Sequence, residues 1–216
     1  MQNLLSKRLI IICGHYGTGK TNISVNLAEF SASCQRKTAI VDLDIVNPYF
    51  RTADNAAELN ALGIKTLIPE FANTNVDIPS LPPALPLIFE SDEITIIDVG
   101  GDENGAVVLG GFAERFLECG YNMFYIFNFY RPENHSAESA AQSLKAIEQV
   151  SRLKFTGIIN NSNLGAETTN ELVKNSIMHA EEFSSLVSLP IMLTTALSNI
   201  TLDCAYKIKD VTKKYF

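Results

Sequence analysis

A glycine-rich stretch close to the start of the chain limits its fold more than any other feature. The stretch reads GHYGTGKT over residues 14–21, directly after the apolar run 9–13 and before residues 23–34, where apolar side chains recur at helical spacing. It fits the pattern G-x-x-x-x-G-K-[ST], in which glycines let backbone N–H groups wrap a phosphate and the start of the next helix adds a favourable dipole. The pattern therefore predicts a strand, a phosphate-binding loop and a helix, in that order.

Lys20 and Thr21 have separate tasks in such a loop. The Lys20 ammonium is expected to reach the β and γ phosphates of a nucleotide and to act in catalysis, and the Thr21 hydroxyl is expected to bind Mg²⁺. The residues of this stretch expected to contact the nucleotide are Gly14, His15, Tyr16, Gly17, Thr18, Gly19, Lys20, Thr21 and Asn22. An ordinary glycine-rich turn is the alternative, but a chance match in a chain of this length is on the order of 1%.

Strand patterns alternate with helical patterns along the rest of the chain. Candidate strands occupy residues 8–13, 38–43, 64–68, 94–99, 121–129, 155–160 and 186–193. Apolar residues at helical spacing over 137–147 predict a helix, and Thr168 with Glu171 forms a capping-box pair expected to open another. This alternation predicts an α/β fold with a mostly parallel, doubly wound sheet flanked by helices. We expect a single P-loop nucleotide-binding domain over residues 1–216, since 46% hydrophobic residues are ample for one core.

Two segments have less regular patterns. Residues 69–86 hold five of the eight prolines and are expected to form a long ordered loop that shapes a surface for a partner or substrate. The last segment has an apolar stripe at helical spacing, made of Ile200, Cys204, Ile208, Val211 and Tyr215. A basic amphipathic helix can bind a membrane, but a stripe this apolar is expected to dock on the core of its own domain.

Composition limits the partners and the compartment. A formal net charge of −7 argues against direct nucleic-acid binding, because such a surface repels a phosphate backbone. The four cysteines lack CxxC spacing, which is typical of reduced thiols rather than of disulfides or a zinc site. No apolar run approaches the roughly 18 residues that a membrane span needs. We therefore expect a cytoplasmic protein without a stable membrane anchor.

Acidic residues end two of the predicted strands. Asp42 and Asp44 close the strand in VDLDIVNPYFRT, and the two-residue period of a strand sends both carboxylates to the same side. Asp98 ends the strand in ITIIDVGGD, where Gly100 and Gly101 can offer N–H groups to a γ-phosphate. Because ligands of open α/β sheets bind at the carboxyl ends of strands, Asp44 and Asp98 are expected beside Mg²⁺, with Asp42 the weaker candidate. Capping of a turn or helix is the alternative for each acid.

Four motifs follow one another along the chain: GHYGTGKTNISVNLA, VDLDIVNPYFRT, IIDVGGDENGA and TGIINNSNLGAETT. Together they resemble the MinD/ParA/CobQ/CobB group of P-loop nucleotide-binding proteins, in particular a little-characterised bacterial ATP-binding branch. The resemblance implies an ATPase in which Asp44 orients the attacking water and Asp98 is the acid on the Mg²⁺ side. It also implies that an asparagine reads the adenine, with Asn161 the best match and Asn160 its neighbour. Capping of a loop is the alternative for this asparagine pair.

His15 departs from the pattern of this group. MinD/ParA-type proteins have a second lysine at this position, which reaches the phosphates of the partner in an ATP-bound dimer. An imidazole does not copy a long, permanently charged lysine, so His15 argues against ATP-dependent dimerisation by this device. Arg51 and Arg131 are candidate substitutes for the cation, although most exposed arginines only solvate a surface.

Two functions fit these residues. The first is an Mg²⁺-dependent ATPase that acts as a nucleotide-dependent switch on a protein partner or in a homodimer, with segments 44–51 and 98–105 relaxing after hydrolysis. The second is an ATP-dependent small-molecule enzyme resembling dethiobiotin synthetase or the cobyrinate amidases, for which residues 69–86 and 47–51 are the candidate substrate-binding segments. The sequence has no cysteine and histidine paired as in a glutamine amidotransferase, and this favours the switch.

Overall fold

The chain forms a sheet of eight strands in the computed structural model, which describes residues 1–43, 55–68 and 85–211, without the side chains of 102–104. The strands are β1 (Leu9–Cys13), β2 (Thr38–Leu43), β3 (Lys65–Leu67), β4 (Ile94–Val99), β5 (Tyr121–Phe127), β6 (Gly157–Asn160), β7 (Ile191–Leu197) and β8 (Tyr206–Ile208). The helices are α1 (Lys20–Ser33), α2 (Ala56–Ala61), α3 (Asp102–Gly110), α4 (Ala113–Cys119), α5 (Ala137–Ser151) and α6 (Asn170–Val187). Short 3₁₀ helices occupy Gln2–Ser6, Leu85–Phe89, Pro132–Asn134 and Gly165–Glu167.

Every strand pair of the sheet is parallel, and the strand order is β3-β2-β4-β1-β5-β6-β7-β8. All residues of β1, β2 and β4 are buried, which explains why their apolar residues do not alternate with exposed polar ones. The chain leaves β1 toward β2 on one side, and β5 lies on the other side. The loop after β1 therefore opens at the carboxyl edge of the sheet, where open α/β folds bind their ligands. The predicted α/β fold is confirmed.

Two apolar layers hold the helices against the sheet. Successive side chains of β1 enter opposite layers, because strand residues alternate between the two faces. Ile12 packs in the layer that contains Ile23 and Leu27 of α1. Ile11 packs in the other layer, together with Leu144 of α5. Since full burial of one such aliphatic side chain contributes about 1.5–3 kcal/mol, these layers hold α1, and hence the loop before it, firmly against the sheet.

Most predicted strands lie where the sequence pattern places them, and 38–43 and 94–99 agree to the residue. The predicted strand 186–193 is wrong. α6 continues to Val187 and ends at Ser188, which is left-handed with a φ of 55°, and β7 begins only at Ile191. The apolar run thus spans the end of a helix and the start of a strand, which hydrophobicity alone does not distinguish.

The start of α6 differs from the prediction by one residue. Thr169 rather than Thr168 is the N-cap, and its side chain accepts a hydrogen bond from the N–H of Leu172 at 3.3 Å. The Thr168 hydroxyl instead donates to the carbonyl of Gly165 at 2.6 Å. Glu171 still belongs to the cap, because its own backbone N–H and the Thr169 side chain hydrogen-bond its carboxyl and lower its pKa. Two adjacent threonines produce the same sequence pattern, so the local hydrogen bonds decide which one caps.

The predicted C-terminal helix is wrong for the part of it that the structure describes. Residues 206–208 form β8, which pairs with β7 and so covers part of the edge of that strand. Ile200 and Ile208 are buried, in agreement with docking on the core, whereas Cys204 is exposed. Tyr215 lies outside the described residues, as does the greater part of the proline-rich segment, 69–84. Among the described ranges, no helix has the length and apolar character needed to cross a membrane.

Candidate functional site

The connection between β1 and α1 has the backbone shape that the glycine pattern predicts. It turns at Gly17 and Gly19, whose φ angles are +75° and +89°. A Cβ on Gly19 would lie 2.3 Å from Nδ2 of Asn161, so this position also has no room for a side chain. α1 begins at the next residue, Lys20. The first N–H groups of the helix, which have no partner within the helix, therefore follow directly on the loop and can bind an anion.

Lys20 is held inside this loop. Its side chain is 7% exposed, and its Nζ donates to the backbone carbonyl of His15 at 3.1 Å. The hydroxyl of Thr18 donates to the same carbonyl at 2.8 Å, which closes the loop. Thr21 is half-buried in the first turn of α1. A buried ammonium within a turn of backbone N–H donors is an arrangement suited to phosphate oxygens.

Two buried acids lie on neighbouring strands beside the loop. Asp42 of β2 and Asp98 of β4 are in register and are 0% and 1% exposed. Asp98 is two residues from Ile96, which packs in the layer containing α1, so both carboxylates lie on the α1 side of the sheet. The hydroxyl of Ser24 in α1 donates to Oδ1 of Asp98 at 3.1 Å. Asp44 lies outside the described residues, and its role stays a prediction.

The donors near Asp98 are compatible with Mg²⁺ in the way that phosphate-binding sites hold it. Within the described residues, no three His, Cys, Asp or Glu side chains are grouped so that they could hold a metal ion. Mg²⁺ seldom needs such a cage, because it keeps several waters and takes one or two protein oxygens together with substrate phosphates. Thr21 and Asp98, at the start of α1 and the end of β4, are oxygen donors of this type.

Gly100 and Gly101 join β4 to α3, and Gly101 lies against the phosphate-binding loop. A Cβ on Gly101 would lie 3.0 Å from the Cα of Tyr16, so the two backbones are in direct contact. The segment 98–105, predicted to relax after hydrolysis, contains the end of β4, these two glycines and the beginning of α3. Only the glycine pair can therefore change conformation without unwinding regular structure.

The two asparagines predicted to read the adenine are both hydrogen-bonded within the protein. Asn161 Nδ2 donates to the carbonyl of Thr18 at 2.8 Å, and its Oδ1 accepts from the Thr195 hydroxyl at 2.7 Å. Asn160 Nδ2 donates to the Ser176 hydroxyl at 3.1 Å. Asn161 thus ties β6 and β7 to the phosphate-binding loop, whereas Asn160 faces α6. The prediction that one of them reads a base stays a prediction, with Asn161 the nearer to the loop.

The segment after β5 contacts the loop from the side of the sheet on which Asn161 lies. Arg131 Nε donates to the carbonyl of Gly17 at 2.9 Å, and the guanidinium carbon lies 4.0 Å from where a Cβ on Gly17 would stand. Glu133 Oε2 lies 3.5 Å from Nδ1 of His15, and this Nδ1 is buried and makes no hydrogen bond to a described residue. The His15 side chain is thus directed to a carboxylate of its own chain. Arg51, the other candidate cation, lies outside the described residues.

The loop therefore lies between two chemically different walls. The β2 and β4 side carries the acids Asp42 and Asp98, and the β5 and β6 side carries Arg131 and Asn161. Cys13 ends β1 directly before the loop, and burial raises the pKa of its thiol, which disfavours the reactive thiolate form.

Sequence reasoning missed Ser24 and Glu133 at this site. Ser24 lies three and four residues after Thr21 and Lys20, so helical spacing alone places it on their face of α1. No comparable local signal indicates Glu133, because its contact with His15 depends on the pairing of β1 with β5.

Comparison with protein families agrees with this geometry. The model of the CobQ/CobB/MinD/ParA nucleotide binding domain matches residues 9–175, which is more than half of the chain. No curated protein sequence matches the chain significantly.

Solved structures share the fold. Chloroplast FtsY from Physcomitrella patens superposes with a TM-score of 0.57 at 14% identity, over 89% of this chain and 59% of that one. FtsY from Mycoplasma mycoides gives 0.53 at 14% identity, over 88% and 59%. Cell division protein FtsY from Thermotoga maritima gives 0.52 at 15% identity, over 88% and 62%. The present chain thus spans less than two thirds of the length of these structures, and the likeness concerns the fold.

Proposed function

Because the chain belongs to the CobQ/CobB/MinD/ParA family of nucleotide-binding domains, we propose that it is an Mg²⁺-dependent ATPase that acts as a nucleotide-dependent switch. The observation that carries the proposal is the buried Lys20 inside a glycine loop, with Asp98 on the strand next to β1. A cation, a row of backbone donors and a buried carboxylate at one edge of a parallel sheet are what phosphoryl transfer requires.

The two walls of the loop orient the nucleotide in this proposal. A terminal phosphate needs a metal-side acid, so the γ-phosphate lies toward Asp98 on the β4 side. The nucleoside then extends in the opposite direction, over the loop toward Arg131 and Asn161 on the β5 and β6 side. Both of these side chains hold carbonyls of the loop itself, at Gly17 and Thr18.

Each residue has a defined task in the reaction. Lys20 neutralises charge on the β and γ phosphates, and the N–H groups of the loop hold their oxygens. Thr21 and Asp98 would hold Mg²⁺, which would supply positive charge against the negative charge that develops on the phosphates. Asp44 orients the attacking water, and Gly100 and Gly101 offer N–H groups to the γ-phosphate.

The switch acts through the contact between β4 and the loop. Gly101 touches the backbone of Tyr16, so loss of the γ-phosphate changes the surroundings of the glycine pair directly. α3 starts immediately after Gly101 and packs against α5. A protein partner that binds over the loop and the start of α3 would therefore distinguish ATP from ADP.

Calorimetric titration with ATP and a phosphate-release assay test this proposal. Lys20→Ala is expected to weaken ATP binding by about tenfold or more and to abolish turnover, because a charged hydrogen bond to phosphate contributes about 1.5–3 kcal/mol. Lys37→Ala is the matched control, since Lys37 is exposed and pairs with Asp92 at 3.0 Å away from the site. Unchanged ATP binding by Lys20→Ala would refute the proposal.

Three further measurements refine the assignment. Asp44→Ala is expected to retain ATP binding while turnover falls, and an equal loss of both would make Asp44 a binding or structural residue. Titration with GTP tests the base, and GTP binding as tight as that of ATP would contradict the choice of ATP. A small carboxylic acid that stimulates turnover many-fold would replace the switch by an ATP-dependent small-molecule enzyme.

A further inference from the structure

Ser24 is a buried hydroxyl that the phosphate-loop pattern does not explain. It is 0% exposed, and its Oγ donates to Oδ1 of Asp98 at 3.1 Å. It lies on α1 one turn beyond Lys20 and Thr21, on the same helical face. The helix that binds phosphate at its first residues therefore also holds a carboxylate of β4 through this serine.

The hydrogen bond of Ser24 differs from those of Ser33 and Ser176, two other serines that lie in helices. Ser33 and Ser176 donate to backbone carbonyls three residues earlier in their own helices, which is the usual way for a serine within a helix to satisfy its hydroxyl. The hydroxyl of Ser24 goes to Asp98 instead, across the interface between α1 and the sheet. A hydrogen bond to a charged acceptor is about twice as strong as one between neutral groups, so it holds the carboxylate in one orientation.

We propose that Ser24 is a positioning residue that orients the Asp98 carboxylate for Mg²⁺. This inference rests on the proposed function, in which Asp98 is the acid on the Mg²⁺ side of the nucleotide. Groups that hydrogen-bond a metal ligand from outside fix its geometry, and their loss typically costs about 10–100-fold in metal affinity or activity. Without Ser24 the carboxylate loses this hydrogen bond from α1, while the phosphate-binding loop keeps its own hydrogen bonds.

Ser31 provides a matched control. It lies on the same helix, is 0% exposed, and its Oγ is 2.8 Å from Oγ1 of Thr38 at the start of β2. Both serines thus make one buried hydrogen bond between α1 and the sheet, but Ser31 is at the opposite end of the helix from the loop. Replacement of either serine by alanine removes one hydroxyl from the same interface, but only Ser24 hydrogen-bonds Asp98.

The experiment measures the Kd for ATP in excess EDTA and its tightening as Mg²⁺ is titrated, for the wild type, Ser24→Ala and Ser31→Ala. Ser24→Ala is expected to require about tenfold more Mg²⁺ for half of the tightening of the Kd for ATP. Its Kd for ATP in EDTA is expected to be unchanged. Ser31→Ala is expected to match the wild type in both quantities, even if its Tm falls as much as the Tm of Ser24→Ala. Equal Mg²⁺ requirement in the two variants overturns the inference, as does an equal loss of affinity in EDTA.

Ser24→Cys covers the case in which Ser24→Ala does not fold. The thiol has a similar shape but is a weaker donor, so a smaller increase in the Mg²⁺ requirement is expected, and no increase overturns the inference. If the wild type itself does not bind ATP, the proposed function is overturned. If the wild type binds ATP and Ser24→Ala has the same Mg²⁺ requirement as the wild type, only the inference about Ser24 is overturned.

Discussion

Two separate constraints require glycine at position 19, and Gly63 shares only one of them. Gly19 has a φ of +89° and no room for a Cβ next to Asn161. Gly63, after α2, has a φ of +76° and nothing within 4 Å of where a Cβ would stand. The left-handed backbone costs a residue with a side chain roughly 1–2 kcal/mol, so alanine is strained at either position. Only alanine at Gly19 must also displace the asparagine that holds the loop.

We therefore expect Gly19→Ala to abolish ATP binding and Gly63→Ala to leave it unchanged. Both variants are expected to unfold at lower urea concentration, with Gly19→Ala the more destabilised of the two. Urea unfolding followed by circular dichroism gives the free energies of unfolding, and calorimetry gives the affinities. Equal affinity for ATP in the two variants would show that the contact with Asn161 is not needed for a working loop.

The central strands were predictable because burial on both faces leaves a continuous apolar signature, as in β1, β2 and β4. The phosphate-binding loop was predictable because its requirements are local, a tight turn followed by Lys20 and a helix. The end of α6 and the position of β8 were not, because apolar residues near them satisfy helix and strand patterns alike. Contacts such as Ser24 with Asp98 join elements far apart in sequence and follow only from the packed sheet.

The segment between β5 and α5 supports the loop through Arg131, and this gives a prediction about the nucleotide. Because Arg131 binds the carbonyl of Gly17 on the side away from Asp98, its loss is expected to affect the nucleoside end of the site. Arg131→Gln should weaken ATP and ADP by the same factor, about threefold to tenfold, which lies within the net contribution of about 0.5–1.5 kcal/mol of one typical hydrogen bond. Arg152→Gln, at an exposed arginine 3.8 Å from Glu114, is the control and should change neither affinity.

Calorimetric titration of the same variants with ATP and with ADP distinguishes two positions for the guanidinium. A loss confined to ATP would place it at the γ-phosphate and make Arg131 the substitute for the lysine that MinD/ParA-type proteins have at the position of His15. An equal loss of affinity for ATP and ADP agrees with the proposed orientation of the nucleotide, in which the γ-phosphate lies toward Asp98 and the nucleoside toward Arg131.

At the scale of the whole molecule, whether one chain is enough to form the nucleotide site depends on where the His15 side chain points. Its Nδ1 lies 3.5 Å from Glu133 of the same chain, and Lys20, Asp98 and Arg131 surround the loop without a second copy. We therefore expect the mass in solution to be the same with ATP and Mg²⁺, with ADP and without nucleotide. Light scattering coupled to size exclusion measures it, with Lys20→Ala as the variant that does not respond to nucleotide.

His15→Lys tests the same point from the opposite direction. A lysine is long enough and permanently charged, so it can leave Glu133 and reach phosphates outside its own chain. If the histidine alone prevents ATP-dependent association, His15→Lys should form a dimer with ATP but not with ADP, and the addition of Lys20→Ala should abolish that dimer. A wild-type mass that doubles with ATP would contradict the self-contained site, because another group would then bridge two copies without the lysine of MinD/ParA-type proteins.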